Sequence, residues 1–295
     1  MRGSRYSVIR VALLLLSVSL SAAAQEVGTV TFLEGTLRII RGTTVLRGAE
    51  GVRLHRGDIV ESSTPGFVQV ELPGGAVVAL GPSTRALFLA HAAKPAQLAV
   101  LSGWVKGEFG PNAGTYQFAS PLLGATTHDC AIVLHSTSDA ASIFVESGSA
   151  PIGSVSPEGY LAHPVAAKAG QFFSRRAGRP VASAPRPDSA FLDAVPRPFR
   201  DTLPPRSARF SKVAEPRPDH EVAYSEIQPW LTGPQAWRRG FVERFQPRLK
   251  DGEFRRAVEA HLNDHPEWDP ILHPEKSSPK TGPATAENPN PHPER

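Results

Sequence analysis

The stretch FVQVELPGGAVVAL, from Phe67 to Leu80, carries the clearest structural signal in this chain. Alternate residues of its first half share one apolar face: Val68, Val70 and Leu72. Gln69 and Glu71 point to the opposite face, and this period of two is typical of a half-buried β-strand. Pro73-Gly74-Gly75 then supplies a tight turn, and the apolar residues 76–80 return as a second strand. The stretch therefore predicts a β-hairpin.

On both sides of this hairpin, residues 25–174 consist of short apolar segments separated by glycine and polar turns. The segments that predict further strands are 30–33, 36–41, 59–61, 85–89, 97–101, 115–118, 131–135 and 142–146. Many short strands separated by regular turn signals indicate a mainly β domain, built as a sandwich, roll or barrel. A domain of this length buries enough apolar surface to form one stable core.

Composition limits the classes of protein that this chain can belong to. Of its 295 residues, 40% are hydrophobic and 20% are charged, which indicates a folded protein rather than a wholly disordered one. The 29 prolines are roughly twice the number that average usage predicts, so part of the chain is expected to be extended linker. The single cysteine, Cys130, excludes an intrachain disulfide framework and a Cys-rich metal site.

The first residues match a secretory signal peptide. Three arginines without an acidic residue precede an apolar run at residues 11–20, and small residues follow up to Ala24. We predict that residues 1–24 are a signal peptide cleaved between Ala24 and Gln25, which places the mature chain in the periplasm. The alternative is an uncleaved membrane anchor, but the apolar run is shorter than the roughly 20 residues that a spanning helix needs. After cleavage we expect no transmembrane anchor.

Charge is distributed unevenly along the chain. The net charge of +4 includes three arginines of the predicted signal peptide, and an exported protein does not meet the nucleoid, so we expect no nucleic-acid partner. Residues 26–174 are nearly neutral, whereas a basic, proline-rich segment begins at Arg175. Such a segment is usually a solvated linker, and contact with an anionic envelope surface is the alternative.

The second half of the chain divides into three further parts. Prolines prevent a continuous helix or central strand in residues 175–222, which we call the strap. Because three phenylalanines punctuate the strap, we expect it to lie partly against the β domain: Phe191, Phe199 and Phe210. Residues 223–275, the helical region, are expected to contain short helices. Residues 276–295 contain hardly any apolar side chains and are expected to be a disordered tail.

Within the helical region the spacing of aromatic residues predicts two short helices. Thr232-Gly233-Pro234 is a plausible start for the first, in which Trp237, Phe241 and Phe245 recur on one face. Asp251 caps the second, whose apolar stripe follows: Phe254, Ala257, Val258 and Leu262. We expect the helices to pack on each other or on the β domain, with Trp230 and Trp268 filling the contact.

The hairpin and the segments before it resemble the FecR domain, the periplasmic β module of iron-dicitrate-type sensor proteins. The resemblance runs over residues 27–89, where glycines and an aspartate lie at the ends of strands in the family's order: Gly35, Gly57, Asp58, Gly74 and Gly75. Residues 103–107, 116–121 and 144–148 resemble the second half of the family's domain. The resemblance implies a FecR-like sandwich or roll that binds other envelope proteins. Two features depart from the family. Thr126 to Cys130 replaces the usual Arg-Gly-Thr turn, and the cytoplasmic anti-sigma segment that typically precedes the membrane helix has no counterpart.

Three groups of residues suggest a catalytic or metal site, and for each a non-catalytic interpretation is the better one. His261 and His265, with carboxylates close behind, have the spacing of zinc ligands, but the sequence lacks the glutamate of a His-Glu-x-x-His motif. His128-Asp129-Cys130 suggests an activated thiol, but Cys130 is expected to pack as a small hydrophobe. Ser277 to Lys280 matches a serine acylase string inside the predicted tail. We therefore predict no catalytic residue, metal or cofactor.

Three functional interpretations remain from the sequence. The first is a non-catalytic interaction or signalling module whose partner is another envelope protein, contacted through exposed strand edges or the strap. The second is an accessory protein that binds cell-wall polysaccharide by stacking sugars on tryptophan: Trp104, Trp230, Trp237 or Trp268. The third is a metal-assisted hydrolase built on the histidine cluster.

Overall fold

The computed structural model describes residues 25–89 and 96–274. The predicted signal peptide with Ala24, and the predicted tail with its Ser277 to Lys280 string, lie outside the described residues. Gln25 is the first residue described and precedes the first strand.

The described chain is mainly β, as the sequence predicts. Its strands are β1 (Glu26–Glu34), β2 (Leu37–Arg41), β3 (Thr44–Arg47), β4 (Arg53–His55), β5 (Ile59–Ser62), β6 (Phe67–Glu71), β7 (Val77–Leu80), β8 (Arg85–Leu89), β9 (Ala96–Phe109), β10 (Tyr116–Ala119), β11 (Leu123–Thr127), β12 (Cys130–Ser136), β13 (Ala140–Val155), β14 (Leu161–Lys168), β15 (Phe172–Arg176), β16 (Ala182–Ala184) and β17 (Arg217–Glu221). The predicted hairpin is confirmed, because β6 and β7 pair antiparallel with Val68 opposite Leu80.

The strands form two sheets that share their two longest members. The first sheet has the order β4, β1, β6, β7, β9, β12, β13, β15, β16. The second has the order β14, β13, β11, β10, β9, β8, β5, β2, β3, β17. The inward faces of both sheets form one hydrophobic core, which includes Val30, Ile39, Val70 and Phe118.

Each shared strand passes from one sheet to the other at a glycine. Gly103 separates the part of β9 that pairs in the second sheet from the part that pairs in the first, and its φ is +95°. Gly148 has the same place in β13, with φ +69°. A Cβ at Gly103 would lie 2.4 Å from the Cα of Thr84, so the bend depends on the absent side chain.

The helices follow the sandwich. They are α1 (Ser189–Ala194), α2 (Tyr224–Leu231), α3 (Gln235–Arg238), α4 (Phe241–Phe245), α5 (Gly252–Ala260) and α6 (Asp269–Leu272), with 3-10 turns at Pro73–Gly75, Arg197–Arg200, Ser207–Arg209, Gln246–Lys250 and Pro266–Trp268. No helix within residues 25–89 and 96–274 is long and apolar enough to cross a membrane.

The prediction of one continuous first helix in the helical region is wrong. The chain breaks between α3 and α4 at Gly240, whose φ is +81°, and a further helix, α2, precedes the predicted start. The aromatic side chains are nevertheless buried together, because the break turns α4 back onto the same apolar cluster. The predicted cap of the second helix is confirmed, since Asp251 accepts hydrogen bonds from the backbone nitrogens of Glu253 at 2.9 Å and Phe254 at 3.3 Å.

The strap and the helical region cover opposite outer faces of the sandwich. On the first sheet, Phe191, Phe199 and Leu203 of the strap pack against apolar side chains that include Trp104 and Phe172. On the second sheet, the helical region packs against a row of aliphatic side chains: Ile40, Val45, Ile59, Leu87, Ala99 and Ala119. The expectation that the strap lies against the β domain is confirmed for Phe191 and Phe199, whereas Phe210 is half-buried.

Candidate protein-interaction surface

The outer face of the first sheet holds the strap through two aromatic anchors. Phe191 lies among aromatic rings, with ring centroids 4.9 Å from Phe172 and 5.3 Å from Trp104. Phe199 is fully buried and its ring centroid lies 6.1 Å from that of Phe67. Burial of such rings provides most of the hydrophobic contribution to this contact.

At the second anchor, Phe199, and just after it, a buried lysine binds the backbone of the strap. Lys106 of β9 is 2% exposed, and its Nζ lies 2.9 Å from the carbonyl oxygens of both Phe199 and Asp201. The same ammonium group lies 2.7 Å from Glu146 and 3.3 Å from Glu108, which balance its charge. Phe199 and Arg200 end a 3-10 turn, and carbonyl groups at such an end need a donor that the helix itself does not supply.

Three further polar side chains of the sheet bind strap backbone groups. Glu108 accepts a hydrogen bond from the nitrogen of Leu203 at 3.0 Å, and Gln69 donates to the carbonyl oxygen of Pro204 at 2.8 Å. Glu71 accepts from the backbone nitrogens of Arg206 and Ser207. Burial would raise the pKa of Glu71, but these hydrogen bonds outweigh it and hold that pKa below its usual value.

The burial of Gln69 and Glu71 corrects the sequence prediction for β6. Alternation indicated a strand with one solvent-exposed face, but all five residues of β6 are buried because the strap covers that face. The strand carries no local signal for this cover. The signal lies more than a hundred residues away, in the phenylalanines of the strap.

These contacts recognise an extended segment by its backbone. Carbonyl and amide groups are the same at every residue, so Lys106, Glu108, Gln69 and Glu71 place few demands on the side chains that they hold. Specificity comes from the pockets for Phe191 and Phe199. The first sheet thus has the chemistry of a peptide-binding surface, and the strap occupies it.

The Gly57-Asp58 turn, which carries the family resemblance, is where the helical region contacts the sandwich. Asp58 is buried and its carboxylate accepts hydrogen bonds from Arg41 at 3.0 and 2.7 Å and from the nitrogen of His55 at 2.8 Å. Arg244 of α4 donates to the carbonyl oxygens of Gly57 and Ile40, both at 2.7 Å. Burial lowers the pKa of Arg244 to about 10, so its guanidinium remains charged at neutral pH.

The other glycines of the resemblance also lie in turns. Gly35, Gly74 and Gly75 have φ values of +80°, +80° and +84°, a region that residues with a side chain rarely adopt. A Cβ at Gly35 would lie 2.6 Å from the carbonyl oxygen of Pro65. These residues shape the ends of strands.

The His128-Asp129-Cys130 group does not form a thiol site. Asp129 has φ +47° between β11 and β12, so the extended geometry needed to bring His128 and Cys130 to one face is interrupted. His128 and Asp129 are exposed, whereas Cys130 is buried in the core and burial raises its thiol pKa. The thiol therefore packs as the hydrophobe that the sequence analysis expected.

The histidines near the C-terminus surround a tyrosine. His265 is fully buried, with its Nε2 3.0 Å from the hydroxyl oxygen of Tyr224, while the ring of His261 stacks on Tyr224 at 5.2 Å. Burial raises the pKa of Tyr224 to about 12, so the hydroxyl keeps its proton. His273 pairs with Asp269 at 2.8 Å. Among the residues described, no three metal-ligating side chains converge.

The four tryptophans are all buried. Trp230, Trp237 and Trp268 fill the contact between the helical region and the second sheet, and Trp104 stacks on His135 at 4.0 Å beneath the strap. None presents the exposed ring that the polysaccharide interpretation requires.

No family model matches the chain, and no curated protein matches it. Two crystal structures of a protein from Parabacteroides distasonis ATCC 8503, provisionally assigned as an anti-sigma factor, are similar to it with 9% sequence identity and a TM-score of 0.38. The similarity covers 46% of this chain and 63% and 64% of those chains, so this chain spans less than two thirds of their length.

Proposed function

We propose that this protein is a non-catalytic, FecR-like interaction module of the periplasm that binds another envelope protein. The observation that carries the proposal is the backbone recognition of the strap by Lys106 and Glu71. A sandwich that holds one extended segment in this way has the means to hold or present segments of a partner. The FecR resemblance and the predicted signal peptide support the compartment.

The contact with the partner is proposed at the free edge of the second sheet. β14 pairs with β13 along one side, and among the described strands no other pairs with it. Val165 at its centre is 58% exposed, and the strand carries one charged residue, Lys168, at its end. Pro164 lacks a backbone donor and His163 has a φ of +48°, so the part of this edge that can pair with a strand from another protein is Val165 to Lys168.

Export is tested first. Residues 1–24 are fused to alkaline phosphatase, an enzyme that matures outside the cytoplasm, and phosphatase activity is measured in cells. The control fusion lacks the apolar residues 11–20. We expect activity from the intact leader and none from the control. Equal, background activity from both fusions would contradict the periplasmic assignment.

Partner binding is tested by photocrosslinking in living cells. A photoreactive residue is placed at Val165 in the full chain, and a matched one at Glu243, an exposed position in the helical region. We expect a discrete envelope-protein adduct from position 165 and none from position 243. Absence of an adduct at 165, combined with retention of the purified protein on peptidoglycan, would overturn the proposal in favour of polysaccharide binding.

A further inference from the structure

The arginines of this protein differ in how they are paired. Several in the sandwich and helical region pair with carboxylates, as in Arg41 with Asp58, Arg238 with Glu267 and Arg255 with Glu259, whereas Arg239 and Arg256 of the helical region are exposed. Within residues 176–212 of the strap, six basic residues are exposed, and their side chains have no hydrogen-bond or ion-pair partner among the described residues: Arg176, Arg179, Arg186, Arg197, Arg209 and Lys212.

Few negative charges offset this group. Residues 176–212 contain three carboxylates, and one of them, Asp188, accepts a hydrogen bond from the nitrogen of Phe191 as the cap of α1. The strap is fixed to the sheet by Phe199 and by Lys106, so the basic side chains are presented outward by an anchored segment rather than carried on a free linker.

Exposed aliphatic side chains are interspersed with these charges. Val181, Leu192 and Val213 are 37%, 48% and 53% exposed. Each lies within five residues of one of the unpaired basic residues. A fully solvated linker gains no stability from exposed aliphatic side chains. A surface that binds a bilayer combines apolar groups that insert into the lipid with basic groups that bind the phosphates.

We propose that these six basic and three aliphatic residues, the exposed side chains of the strap that we call the basic surface, bind the anionic phospholipid headgroups of a membrane. The aliphatic residues favour a bilayer over a soluble polyanion, because a bilayer has an apolar interior in which they can be buried and a polyanion does not. This inference is independent of the protein partner, because the basic surface lies on the strap and the proposed partner edge lies on β14.

The test is co-sedimentation of the purified chain of residues 25–295 with vesicles that contain phosphatidylglycerol, compared with vesicles of phosphatidylcholine. We expect binding to the anionic vesicles at about 0.1 M salt and its loss at about 1 M, where charges are screened within roughly 3 Å.

A charge variant and a matched control locate the binding. The variant carries Arg197→Gln, Arg209→Gln and Lys212→Gln, and the control carries Arg239→Gln, Arg256→Gln and Lys250→Gln, three exposed residues of the helical region. Each basic residue at an anionic surface contributes about fivefold to partitioning, so we expect roughly a hundredfold loss in the variant and little change in the control. The urea midpoint of both is measured to verify the fold.

The aliphatic contribution is tested with Leu192→Ser and Val213→Ser, against Val165→Ser on β14. We expect the pair to weaken vesicle binding while the control binds as the parent does. Equal losses in the two charge variants would show that net charge, not the basic surface, drives binding. Failure of the parent to bind anionic vesicles, or binding of a soluble protein that requires the same three charges, would overturn the proposal.

Discussion

The strap and the helical region cover the two faces of one sandwich by different means. The helical region buries three tryptophans and several phenylalanines against an aliphatic sheet face, with Arg244 and the ion pair of Arg38 with Glu226 as polar links. The strap buries two phenylalanines and a leucine and otherwise depends on side chains of the sheet that bind its backbone, above all Lys106. Side-chain burial fixes the helical region, whereas backbone hydrogen bonds, including the pairing of β16 and β17, hold much of the strap, so we expect the strap to open at a lower free-energy cost.

Removing one large side chain from the helical region is expected to have the greatest effect. Trp230→Ala empties a fully enclosed site, so we expect the free energy of unfolding to fall by about 3–5 kcal/mol, measured by urea denaturation. Ile271→Ala, at an exposed site of the same region, is the control and should change it by about 0.5 kcal/mol or less. If the two variants unfold alike, the helical region is not part of the cooperative unit and the comparison fails.

Removing the buried ammonium group is expected to open the strap without unfolding the sandwich. Lys106→Met leaves the carbonyl groups of Phe199 and Asp201 without their donor, at a cost of about 2 kcal/mol. Trypsin should then cleave faster after Arg200 and Arg206, with peptides identified by mass spectrometry. Lys168→Met, at an exposed lysine, is the control. Unchanged cleavage would mean that the phenylalanines hold the strap without backbone recognition.

A smaller effect is expected at the cap of the strap helix. Asp188→Ala removes the side chain that accepts the Phe191 nitrogen at 2.7 Å, and loss of such a cap costs about 1 kcal/mol. The effect should appear as faster hydrogen exchange in α1, with the helical region unaffected. Asp188→Asn preserves the cap and should restore protection. Protection lost equally in the alanine and asparagine variants would assign the effect to charge rather than capping.

The smallest expected effect depends on pH and concerns a buried histidine of the helical region. Burial lowers the pKa of His265 below its ordinary value of 6.5, so the folded protein holds the imidazole neutral while the unfolded chain takes up a proton first. Stability is therefore full above about pH 6.5 and decreases as the pH falls below it. The urea midpoint at pH 5.5 and 7.5 measures this. His265→Gln should reduce the difference, leaving the share from His135, whose pKa is also lowered by burial. A parent protein more stable at pH 5.5 would contradict the prediction.

Local patterns predicted the elements that local forces determine. Alternation identified β6 and β7, and the spacing of Asp251 and Phe254 identified α5, because period and capping are properties of neighbouring residues. The break at Gly240 was missed, since aromatic spacing continues across it. The burial of Glu71 was missed for a different reason: its partners, Arg206 and Ser207, are distant in sequence and contribute backbone groups that no side-chain pattern reveals.

The segments that cover the sandwich all follow it along the chain. A product ending after β15 would lack Phe191, Phe199 and the helical region, which cover the two outer faces. Ile40 and Ile59 would then face solvent, and Lys106 would lack the carbonyl groups that it binds. We therefore expect such a truncated sandwich to aggregate more readily than the full chain.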